Sequence, residues 1–90
     1  MRSETLSGLG TLWDGDQAVL RDVPYTVTIT VRDSGMGHID GSITGDFNTL
    51  TTLVMKDPVP SLVLQLKDGR RWECYLTNNS GRLVNRGELK

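Results

Sequence analysis

The sequence predicts an all-β fold: a small curled β-barrel of five to seven short, mainly antiparallel strands in a single domain over residues 1–90. Three observations carry this expectation. Residues 25–31, YTVTITV, alternate strictly, with Tyr25, Val27, Ile29 and Val31 on one face and threonines on the other. Turn clusters such as DGD at 14–16, RDSGMG at 32–37 and TNNSG at 77–81 separate short apolar segments. Ten glycines in ninety residues suit a strongly coiled sheet, because they relieve crowding where strands bend.

Taken in order, SGLGTLW (7–13) reads as a first strand ending at the DGD turn, and its glycines suit a bend or bulge. QAVLRDV (17–23) reads as a short strand or an irregular lead into Tyr25. Pro24 cannot donate to a ladder, so it belongs at the entrance of the next strand or on an edge. HIDGSIT (38–44) sets Ile39, Gly41 and Ile43 on one face and His38, Asp40, Ser42 and Thr44 on the other. GRLVNRGELK contributes a last strand around Leu83–Leu89.

DFNTLTTLVMKD (46–57) is ambiguous. Phe47, Leu50 and Val54 have helical spacing and Asp46 can cap, but three threonines and a valine oppose a helix on propensity. Strand or irregular structure is the expectation. A short helix around 46–56 is the alternative, and with it the strand order looks like an OB-fold, a barrel that often binds oligonucleotides.

The hairpin in LQLKDGRRWEC (64–74) has a register that the residues decide. A two-residue Asp68-Gly69 turn would pair Leu64 with Glu73 and mix charge into the apolar face. A three-residue loop, Lys67-Asp68-Gly69, pairs Leu66 with Arg70, Leu64 with Trp72 and Leu62 with Cys74. Gly69 then takes the left-handed position. Trp72 and Cys74 point inward, whereas Arg71, Glu73 and Tyr75 point outward.

Composition narrows the function. Net charge is −1, the pI is about 5.7 and 23% of residues are charged, values of an ordinary soluble globular domain rather than a nucleic-acid or membrane coat. The charge is uneven: residues 1–66 carry four basic and eight acidic side chains, net −4, and residues 67–90 carry six and three, net +3. One cysteine excludes a disulfide framework, and there is neither an apolar leader in the first 13 residues nor a run long enough to span a membrane. A reduced, cytoplasmic setting is therefore expected, with Asn78-Asn79-Ser80 serving as a polar turn rather than a glycosylation site.

No catalytic constellation can be assembled. His38 and Asp40 share a strand face, but the chain has a single histidine, so a metal site would lack ligands and no cofactor is expected. Cys74 lies on the apolar face as a core thiol. DGSITG (40–45) resembles half of the signature of PilZ domains, small barrels that bind cyclic di-GMP through Asp/Asn-x-Ser-x-x-Gly and an upstream Arg-x-x-x-Arg. Asp40, Ser42 and Gly45 match the first element. The second is missing, since Arg32 is followed four residues later by Met36.

The expected function is a non-catalytic binding or assembly module with a protein partner or itself, using Arg71, Glu73, Tyr75 and Arg82. The alternative is a weak nucleic-acid binder working through the basic C-terminal third. Glu73, between Arg71 and Tyr75, opposes phosphate on that face.

Overall fold

The computed structural model describes residues 2–33, 37–56 and 58–89, with the side chains of residues 88 and 89 left aside. Its strands are β1 (Arg2–Asp14), β2 (Gln17–Val31), β3 (Gly37–Ile43), β4 (Leu62–Gln65), β5 (Arg71–Leu76) and β6 (Arg82–Leu89), with one helix, α1 (Phe47–Val54). They close into a barrel in the order β1-β2-β3-β6-β5-β4, every neighbouring pair antiparallel. The small all-β barrel is the fold of this chain. It shares a helix between the third and fourth strands with the OB-like alternative, but it has six strands rather than five. Residues 34–36 of the turn expected over 32–37 lie outside the described residues.

Two strands are longer than their sequence signals. Residues 17–23 and 25–31 form one strand, and β1 begins at Arg2 rather than near Ser7. The register with β1 shifts between Gly10 and Leu12 and again before Trp13, and Asp22 takes a left-handed φ of 52°. Such irregularities bend the pair and let one long strand turn a barrel corner. Pro24 therefore sits inside β2, not at its entrance. Its carbonyl accepts a hydrogen bond from the Thr44 N–H, just beyond β3, so its ring nitrogen faces the same side, where β3 has ended. The edge that Pro24 requires is a local one.

The hairpin follows its predicted register: Leu62 pairs with Cys74 and Leu64 with Trp72, and the Leu66 N–H donates to the Arg70 carbonyl at 2.8 Å. Gly69 has φ +92°. Asp68 accepts from the Arg70 backbone N–H at 3.0 Å and its guanidinium at 2.7 Å; these donors, the backbone one foremost, hold its carboxyl below the usual range.

The core is centred on Trp72, fully buried with Leu12, Val27, Leu62, Leu64, Cys74 and Leu83. Gly41 makes room for it: a Cβ there would sit 3.1 Å from the indole ring. The indole N–H donates to Asn85 Oδ1 at 2.8 Å, so the buried ring keeps its polar atom satisfied. Burial pushes the Cys74 thiol up to about 12, in keeping with a core position.

Residues 47–54 are helical, which corrects the expectation of strand or irregular structure. Two of the three threonines that opposed a helix find hydrogen bonds within it, while the Thr51 hydroxyl is buried without a partner among the described residues. Asp46 caps through the Thr49 N–H at 3.0 Å and also accepts from the Thr49 hydroxyl, while the Thr52 hydroxyl donates back to the Asn48 carbonyl. Leu50 and Leu53 are buried, whereas Phe47, one of the residues that suggested the helix, is 62% exposed.

Candidate interaction surfaces

Strand β5 presents Arg71, Glu73 and Tyr75 outward as the alternation requires, the first two exposed and Tyr75 half-buried. Neighbouring strands then engage two of them. The Arg71 guanidinium stands 6.0 Å from the Trp13 ring centre, and Arg86 of β6 lies 4.7 Å over the Tyr75 ring. These cation–π contacts cover one face of each aromatic ring with a cation of the same chain.

Arg82 lies on the same outer face, two residues along β6 from Val84, the partner of Tyr75, and it also reaches a neighbouring cleft. It pairs with Ser42, which pairs in turn with Thr26, so the three form one row across β6, β3 and β2. With Thr28, Asp40, Asn78 and Ser80, this row lines a polar cleft of about 430 Å³. Asn78 Oδ1 accepts from the Ser80 N–H, the Ser80 hydroxyl and the Arg82 N–H, which fixes the predicted polar turn as one wall. The structure thus aligns Arg71, Glu73 and Tyr75 along β5 and sets Arg82 diagonally beyond Tyr75, at the margin of this cleft.

His38 Nε2 lies 3.3 Å from Asp40 Oδ2, both well exposed. Among the described residues, no group of three or more His, Cys, Asp or Glu side chains could hold a metal ion. Of the three residues that carry the PilZ resemblance, Asp40 and Ser42 line the cleft, while Gly45 packs towards Leu20 and Val23. No described helix is long and apolar enough to cross a membrane.

The feature that sequence reasoning missed is an edge. β1 pairs with β2 from Arg2 to Asp14, but with β4 only over Thr11–Trp13. Among the described residues, no strand lies beside 2–9 on the side away from β2. On the far side of the same sheet, β3 pairs with β6 only over Asp40–Ser42. The start of β1, the end of β2 and the start of β3 therefore form a three-stranded sheet extending past the closed barrel. Backbone donors and acceptors along the outer side of residues 2–9 have no ladder, the condition under which a sheet takes an added strand. The signal lay in Thr5 and the Arg2-Glu4-Leu6 alternation, too polar to stand out.

Comparison with protein-family models, with curated proteins and with solved structures finds no match to this chain.

Proposed function

We propose that this protein is a non-catalytic binding or assembly module that engages a protein strand, from a partner or a second copy, along the outer edge of β1. The observation that carries the reading is the unladdered stretch 2–9 of a strand that is paired on both sides over Thr11–Trp13. A closed barrel removes its edges; this one leaves an edge on a strand whose far end is locked into the barrel. Ser3, Thr5, Ser7 and Leu9 are exposed beside it, with Leu9 at 56%, so an added strand would meet hydroxyls and one apolar side chain. Strand addition draws affinity from the main chain and selectivity from alternate side chains.

Several features favour binding over catalysis. The single histidine is paired with Asp40 on an open surface, and the one thiol is buried. Because Arg71 and Arg86 lie against aromatic rings of their own chain, the basic third offers less to a nucleic acid than its charge suggests.

The test is an NMR titration of labelled protein with extended Thr/Val-rich peptides, alongside a dilution series of the protein alone. Saturable shifts concentrated on residues 2–9 in either arm are expected. Flat titrations in both arms, or shifts centred on Arg71, Tyr75 and Arg82 with an oligonucleotide, would refute the reading.

A further inference from the structure

We infer that a second copy of this chain occupies the β1 edge, antiparallel to the first about a two-fold axis through Leu6. This rests on the reading above and names its partner.

The geometry limits where a copy can lie. From Thr11 onward the edge is taken by β4, and the hairpin leaving β4 brings Lys67 back across Gly8. The open stretch therefore ends near residue 8. Within it, residues 4–8, Glu-Thr-Leu-Ser-Gly, complement themselves when reversed. With Leu6 opposite its counterpart, Thr5 faces the copy's Ser7, pairing hydroxyl with hydroxyl, and Glu4 faces the copy's Gly8.

That last pairing decides the register. Gly8 has no side chain, and the Lys67 stem fills the space above it: a Cβ at position 8 would sit 2.7 Å from Lys67 Cδ. A Glu4 side chain reaching over the copy's Gly8 thus meets the copy's Lys67, and two-fold symmetry makes the contact twice. Among the described residues, neither the Glu4 carboxylate nor the Lys67 ammonium has a hydrogen-bond or ion-pair partner in its own chain. Leu6, half-buried at the margin of the core, meets its counterpart.

Neighbouring registers are poorer. An axis through Glu4 sets the two carboxylates directly opposite, and one through Thr5 makes them diagonal neighbours. An axis through Ser3 pairs Arg2 with Glu4 but leaves an overlap of only residues 2–4 among those described. Among axes through residues 3 to 6, the Leu6 register alone avoids like-charge contact while overlapping five residues.

Such a joint is small. Sedimentation velocity should therefore show a monomer–dimer equilibrium between about 10 µM and about 1 mM, the span for an interface below standard size. Glu4→Lys and Lys67→Glu should each weaken it about tenfold, since each replaces two attractions with two repulsions. The double variant should restore it, and Arg2→Glu should leave it unchanged. A chain that stays monomeric to about 1 mM overturns the inference, given the range expected of a small interface. So does a dimer indifferent to the charge reversals, or one that the double variant fails to restore. If the chain is monomeric but extended peptides still shift residues 2–9, the copy is the wrong occupant and the edge reading stands. If neither binds, both fall.

Discussion

Val27 and Val31 stand four residues apart on the same face of β2, yet Val27 is 0% exposed and Val31 is 37% exposed. At Val27 the neighbours are Leu6 and Gly41, and Gly41 pairs onward with Leu83 of β6, so the sheet continues into the barrel on the β3 side. At Val31 the neighbours are Arg2 and Gly37, and the three-stranded sheet ends there on both sides. Ile29, Leu6 and Ile39 fall between, partly buried against the core. The difference teaches that alternation identifies a face, while closure by distant strands decides whether that face is covered.

The strongest way to break this comparison is at the centre of the closed part. Trp72→Ala should cost roughly 3–5 kcal/mol, measured by denaturant unfolding, because it empties the space that Gly41 keeps open. A loss below about 1 kcal/mol would mean that the barrel does not close around this ring.

Two of the three left-handed glycines among the described residues sharpen it further. Gly69 and Gly81 have φ +92° and +98°, almost the same backbone. A Cβ at Gly69 meets nothing within 4 Å, whereas one at Gly81 is driven into the carbonyl oxygen of Ile43, whose N–H bonds to the Gly81 carbonyl at 2.8 Å. Gly81→Ala should therefore cost about 3 kcal/mol or more, and Gly69→Ala about 1–2 kcal/mol, the cost of the conformation alone. Equal losses would show that the approach of Gly81 to β3 is looser than described.

The valine pair tests the comparison directly. Val27→Ala should cost about 2–3 kcal/mol and Val31→Ala less than about 1 kcal/mol, since only the first leaves a hole in packed surroundings. Equal effects would mean that the open end is covered in solution. If the copy proposed above is the cover, the gap should narrow as protein concentration rises.

The last test concerns pH and acts only in the alkaline range. The buried Cys74 thiol, at about 12, remains protonated in the folded chain when an unfolded thiol, near 9.0, ionises. Unfolding then releases a proton, so this contribution to stability is complete below pH 9 and falls by about 1.4 kcal/mol per pH unit between 9 and 12. The alkaline slope should be shallower in Cys74→Ala than in the parent. Identical slopes would place the thiol in contact with water.

Much of this was legible locally. The Lys67-Asp68-Gly69 loop follows from the leucines, Trp72 and one residue suited to positive φ, all within eleven residues. The outward course of Arg71, Glu73 and Tyr75 follows from the same register. The helix was misjudged because propensity does not count the hydrogen bonds Thr49 and Thr52 make once Asp46 caps the turn. What no local pattern showed is that Arg82, diagonal to Tyr75 across β5 and β6, also pairs with Ser42 of β3 and so borders the cleft.

The sequence by itself determined the all-β class, the alternating faces, the hairpin register and an inward Trp72 with Cys74. Each depends on contacts within a strand or across one tight turn, where the period of two and the turn geometry leave few choices. Tertiary structure decided that residues 17–31 form one bent strand, that Gly81 lies against Ile43, and that β4 joins β1 only from Thr11. The last two of those outcomes depend on pairings between residues about 40 to 55 positions apart. No local pattern records where a distant strand will end, and that endpoint is what leaves residues 2–9 of β1 open.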